Sequence, residues 1–210
     1  MGESIMGMTV APRSGVFTYR DFCSQVSDDK KGDLIDGVIY LTPPESISEN
    51  ELFGWLITVI GPYVRKMKLG EVYCSRVACR LDDKNAPEPD ILFVAEKNRS
   101  RLHSGGVEGS PDLAIEIVSP ESVERDYDKK RRQYQRFKIP EYWIIDEHDL
   151  KVTLLRLDAR GKYREVAPRK GLFHSQELKG FWLDPKWLWQ DPLPDELETL
   201  TLLLAGRASR

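Results

Sequence analysis

Apolar residues recur along this chain at two spacings, and the switches between them mark out the elements. Leu52, Trp55, Leu56, Val59, Ile60, Tyr63 and Val64 follow helical intervals and end before Leu69-Gly70, the stripe of a long amphipathic helix. Ser48 followed by Glu51 has the spacing of a capping box at its start, and Gly61-Pro62 predicts a bend within it. A shorter helix is expected through Tyr19, Phe22 and Val26, capped by Thr18. DLI and VIYL flank Asp36-Gly37, so residues from about Asp33 to Leu41 are expected to pair as a tight hairpin.

Beyond Gly70 the pattern becomes extended. Glu71 to Leu81, Asp90 to Val94 and Leu113 to Val118 read as strands, the last an almost continuous apolar run of the kind a covered central strand shows. Ser119-Pro120 ends it. A helix follows from about Val123 to Phe137, then a strand from Tyr142 to Ile145, and this order predicts a βαβ crossover. VTLLRL and KYREVA form a hairpin around Asp158 to Gly161. A further strand, a tryptophan-rich segment and a helix over about 194–206, opened by Pro194-Asp195, complete the chain. The order predicts an α/β fold (α+β mixed sheet) with helices on its flanks. At 210 residues it is most simply one domain, with a core over about 19–189.

Composition narrows the class of partner. A net charge of -3 gives no bulk attraction to a polyanion, so any nucleic-acid site must be local. Runs such as Leu52 to Ile60 are too short to cross a bilayer, and the N-terminus lacks a basic-then-apolar leader. Cys23, Cys74 and Cys79 show no CxxC spacing and fit reduced, buried thiols of a cytoplasmic protein. His103, His148 and His174 are scattered, and no HExxH, GxSxG or phosphate-loop string occurs. Gly105-Gly106 lies in a polar stretch and reads as a turn, so no nucleotide cofactor is expected.

Two carboxylates stand out. Asp90 opens a strand after Pro89, and Glu116 interrupts the apolar run LAIEIV. An isolated carboxylate is costly to bury there; pairing with an arginine is the alternative to a functional role, which the apolar setting favours. Asp90 by itself reads as a turn or cap residue and gains weight only beside Glu116. Together, two such groups on neighbouring strands suit a hard divalent ion. In the following helix Tyr127, Lys130, Tyr134 and Phe137 share one stripe, so Lys130 points where the aromatics point. It either serves a reacting group or snorkels along them, and periodicity does not separate these. Lys129 shares a polar face with Asp126, Gln133 and Arg136 and reads as solvated. Arg131, Arg132 and Arg136 are outward cations suited to a phosphate backbone or simply to water.

The strings PEPD, LAIEIVSPES and RDYDKKRRQYQRFKIPEYWIID, preceded by DLIDGVIYLTPP, closely resemble the Uma2 family, formerly DUF820, within the PD-(D/E)XK nuclease-like superfamily. The resemblance runs from about Tyr19 to Trp189. It implies a restriction-endonuclease-like core and an endonuclease acting on DNA with Mg2+ or Mn2+. Its early acid falls on Asp33, its PD on Asp90, its strand glutamate on Glu116 and its relocated lysine on Lys130. Asp33 stands where glutamate is usual, and Val118 stands where the superfamily motif places lysine, consistent with the lysine having moved to the helix. The resemblance further implies that the carbonyl of Ile117 completes the ion's shell and that the chain forms a homodimer, with the C-terminal apolar and tryptophan-rich segment available as an interface. A noncatalytic binding or assembly module of the same fold, or a nuclease acting on branched DNA or RNA, are the rival functions.

Overall fold

In the computed structural model, residues 9–10, 15–27 and 30–206 are described; the expectation about an N-terminal leader lies outside the described residues. β1 (Thr9–Val10) precedes α1 (Tyr19–Gln25), whose start is the predicted Thr18, closed by a reciprocal box with Asp21. β2 (Gly32–Ile35) and β3 (Val38–Leu41) form the expected hairpin, with Ile35 opposite Val38. Its turn needs left-handed backbone at Asp36 and Gly37 (φ 49 and 77). A Cβ on Gly37 would meet Val16 at 2.4 Å, so both space and φ demand glycine.

α2 (Ile47–Met67) buries the predicted stripe and runs as one helix through Pro62. Its cap is Ser46 with Glu49 rather than Ser48 with Glu51. SISENE contains two overlapping boxes, and the earlier one starts the helix two residues sooner. β4 (Gly70–Cys74) and β5 (Cys79–Arg80) replace the single stretch expected over 71–81, because Ser75 and Arg76 take positive φ and turn the chain. β6 (Ile91–Ala95) follows, and β7 (Leu102–His103) and β8 (Gly106–Glu108) form a hairpin around Gly105 that joins β5 in a small sheet.

β9 (Leu113–Val118) leads through a π turn, Arg125–Lys130, into α3 (Arg131–Arg136) and then β10 (Glu141–Asp146). β9 and β10 are parallel, as the crossover requires. β11 (Lys151–Leu157) and β12 (Tyr163–Glu165) form the expected hairpin; β13 (Phe173–His174) and β14 (Trp182–Leu183) pair with each other before α4 (Glu196–Leu204). The central six-stranded sheet has the order β12-β11-β10-β9-β6-β4, mixed because every pair but β9/β10 is antiparallel.

Alternation along β9 divides the molecule. Leu113 and Ile115 face the larger core with α2, Phe93 and Trp143, while Ala114 and Val118 join Tyr134, Tyr142 and Ile144 on the opposite face. Trp182 and Trp187 lie buried in the larger core and Trp189 is half-buried against it, so the tryptophans of the C-terminal segment face largely inward, while its apolar helix α4 leaves Leu197 and Leu204 exposed. Cys23 is exposed, not buried. Among the described residues no helix is long and apolar enough to cross a membrane.

Candidate active site

Antiparallel pairing sets Ile91 opposite Ile115, which brings Asp90, just before β6, alongside Glu116 on β9. Asp90 Oδ2 accepts the Ile117 amide at 2.6 Å, and its Oδ1 is engaged by the Lys31 ammonium. Glu116 is 1% exposed; its Oε1 accepts the Tyr134 hydroxyl at 2.6 Å and lies 2.9 Å from Lys130 Nζ. Lys130, itself 1% exposed, also lies 3.1 Å from Asp33 Oδ2 and 3.7 Å from Asp126 Oδ1. The inward lysine predicted from the helical stripe is therefore at the carboxylates, held among three of them.

Asp33 is tied into the frame by its other oxygen. Its Oδ1 accepts the Glu88 amide at 2.9 Å, while Glu88 Oε2 accepts the Gly32 amide at 3.0 Å, so β2 and the PEPD segment are locked reciprocally. A cavity of about 520 Å³ opens over the cluster, lined by Lys31, Asp90, Glu116, Ile117 and Lys130 and also by Pro43, Pro44 and Phe53. Asp33 does not line it; it stands behind Lys130.

The charges are unequal. Five buried or nearly buried carboxylates, Asp33, Glu88, Asp90, Glu116 and Asp126, face three cations, Lys31, Arg125 and Lys130. Burial pushes Glu116 up to about 8, a shift that Lys130 only partly offsets, and burial likewise raises Glu88 to about 7 and Asp126 above the usual carboxylate range. Burial opposes the charge on Lys130, but Asp33, Glu116 and Asp126 outweigh it and hold its pKa above the ordinary lysine value. Asp33 goes the other way: Lys130, Arg125 and Lys31 overcome its burial and lower it. Asp33 Oδ2 and Asp126 Oδ1 are buried without a hydrogen bond.

These features fit a hard cation. The donors are carboxylate oxygens, three of the carboxylates (Asp90, Glu116 and Asp126) line the cavity, and the cluster has more carboxylates than cations. Among the described residues no group of three or more His, Cys, Asp or Glu is arranged to hold an ion; Asp90 and Glu116 line the cavity together, with Ile117 beside them.

Several site residues escape a reading based on regular periods. Asp126 and Gln133, expected on a solvated face, are 2% exposed; Gln133 donates to Asn85 Oδ1 and to the Leu34 carbonyl. The cause is the π turn, which changes the residues that share a side of the helix. Lys31 was legible in principle, since it sits two residues before Asp33 and thus on the same strand face. Lys129 is not simply solvated: it pairs with Glu124 at 2.6 Å and lies over the Tyr40 ring. Arg131, Arg132 and Arg136 are exposed and line no part of the cavity; Arg132 pairs with Asp128 at 2.6 Å and Arg136 with Asp36 at 2.7 Å.

A mixed sheet flanked by helices, carrying a carboxylate pair and an adjoining lysine, defines a restriction-endonuclease-like protein. The sequence model of the Uma2 family, described as "Putative restriction endonuclease", matches residues 18–186, and the chain belongs to that family. A crystal structure described as a putative nuclease belonging to DUF820 from Anabaena variabilis has the same fold, with a TM-score of 0.68 at 18% identity, covering 82% of this chain and 97% of that one. No curated protein matches the chain.

Proposed function

We propose that the chain is one nuclease domain that hydrolyses phosphodiester bonds of DNA as a divalent-metal-dependent endonuclease. The observation that carries this is the convergence of Asp90 and Glu116 on one cavity, with Lys130 Nζ 2.9 Å from Glu116. Asp90 and Glu116, with the Ile117 carbonyl, would hold Mg2+ or Mn2+. When bound, such an ion makes water acidic enough to attack and offsets phosphate charge.

The chain's own groups do the rest. Tyr134 and Lys130 fix the Glu116 carboxylate from one oxygen. Lys130 orients the attacking water and counters charge gathering on the phosphate. Asp33 acts through Lys130, keeping it charged and aimed. Arg131, Arg132 and Arg136 offer outward charge to a DNA backbone, and a homodimer would set one site against each strand.

The test is cleavage of duplex, single-stranded and branched DNA and of RNA with Mg2+ or Mn2+, comparing wild type with Glu116→Gln. Cleavage lost in the variant supports the assignment and ranks the substrates. A fully active Glu116→Gln protein refutes the site. No cleavage by folded wild type favours the binding module, for which the occupation of Asp90 by Lys31 is the supporting feature.

A further inference from the structure

Arg125 has no part in the mechanism above, yet it is built into the same cavity. Its side chain is 10% exposed, and its Nε lies 3.5 Å from Asp33 Oδ2 and 3.9 Å from Asp126 Oδ1. Nε makes no hydrogen bond. Both ion pairs reach the guanidinium from that one side.

The π turn is responsible for this placement. Each residue of an α-helix rotates about 100°, so residues five apart point about 140° from one another. A π turn closes hydrogen bonds between residues five apart and stacks them instead. Arg125 and Lys130 are the two ends of such a turn, and both line the cavity. Single π turns are rare and concentrate at functional sites.

The surroundings give a cation here a purpose. Glu45, Glu49, Glu121 and Glu147 line the same cavity, and the whole chain carries -3, so bulk charge does not draw an anion in. Lys31 is engaged by Asp90, and Lys130 stands among three carboxylates. Among the described residues, Arg125 is the cavity cation whose terminal nitrogens are in no ion pair.

We infer that Arg125 holds the phosphate group of a nucleic-acid strand through its terminal nitrogens, while Asp33 and Asp126 fix the guanidinium from the Nε side. A planar fork matches two phosphate oxygens in a way a lysine does not. The inference rests on the nuclease reading and adds the residue that grips the substrate.

The probe is thymidine 3′,5′-bisphosphate, titrated calorimetrically into the full chain with Ca2+ present. Wild type binds it. Arg125→Gln weakens binding about tenfold or more, the effect of losing a charge-assisted hydrogen bond; Arg125→Lys recovers part of the loss, and Arg164→Gln, at an exposed arginine that pairs with Asp158 and lines no part of the cavity, binds as wild type does. Because Arg125→Gln leaves Asp33 and Asp126 short of a partner, a second measurement that needs no variant uses wild type labelled with 15N-arginine, in which the probe shifts the Arg125 side-chain signal and not that of Arg164. No binding by wild type, unchanged binding by folded Arg125→Gln, or an unshifted Arg125 signal overturns the inference. Binding through Arg125 without cleavage of any nucleic acid removes the nuclease reading and leaves the phosphate site standing. Cleavage by Arg125→Gln at wild-type KM does the reverse.

Discussion

Two glutamates stand on neighbouring parallel strands, both sealed from solvent, and the protein treats them in opposite ways. Glu141 on β10 is 0% exposed. Its Oε1 accepts Trp143 Nε1 at 2.8 Å and Ser175 Oγ at 2.6 Å; its Oε2 accepts the Gln176 amide at 2.8 Å and Arg156 at 3.2 Å. It lines no part of the cavity. Glu116 on β9 lines that cavity among further acids, and burial drives its pKa up to about 8. A buried acid in an apolar strand is thus no functional signal by itself. What separates the two is whether the fold completes the carboxylate's shell of donors or leaves it to be completed by something else.

The sharpest way to break this contrast is to make the same substitution at both positions. Glu116→Gln should lower cleavage about a thousandfold or more and leave unfolding by urea unchanged or shifted to higher denaturant. Glu141→Gln should retain activity per folded molecule but lose about 2–3 kcal/mol of stability, since an amide cannot accept from all four donors. Equal losses of stability in the two variants would collapse the distinction. Next in size, Lys130→Met should cost the metal-free protein about 3 kcal/mol by leaving its carboxylates unpaired. Mg2+ should raise the melting temperature of that variant more than that of wild type.

A pH series sharpens the same comparison. Glu116 titrates at about 8 in the fold against an ordinary 4.5, so the proton it retains stabilises the metal-free protein at low pH, and this contribution is lost as pH rises through about 8. An ion bound there must expel that proton. Apparent Mg2+ affinity should therefore fall as pH drops from about 8 to about 6, with close to one proton released, measured by calorimetry in two buffers of different ionisation enthalpy. Glu116→Gln should abolish the release, whereas Glu141→Gln should keep it. The smallest effect belongs to the exposed Arg136–Asp36 pair: Arg136→Ala should change unfolding free energy by less than about 1 kcal/mol.

Hydrophobic period made the α2 stripe legible, the Asp36-Gly37 turn marked the β2/β3 hairpin, and the order strand, helix, strand gave the parallel β9/β10 crossover. The same regularity found Lys130 beside its aromatic neighbours. It failed at Asp126 and Gln133 and passed over Arg125, since a π turn leaves no mark in a reading that assumes the α period. It also misplaced the cap of α2, where SISENE offers two overlapping boxes, and irregular segments carry no period to show that Trp182 and Trp187 face inward. Asp33 came from the family resemblance; the structure adds that its charge is spent on Lys130 and Arg125.

The pairing of Ile91 with Ile115 has a further consequence, for when the site can exist at all. Its groups come from β2, the approach to β6, the middle of β9 and the helix beyond, segments distant in sequence that meet only after the sheet has formed. A slip of one residue along β9 would turn Glu116 into the core with Trp143 and bring Ile115 to the cavity. A nascent or partly unfolded chain therefore holds the residues but not the site, and whatever the cluster does to its ligand begins only with the finished fold.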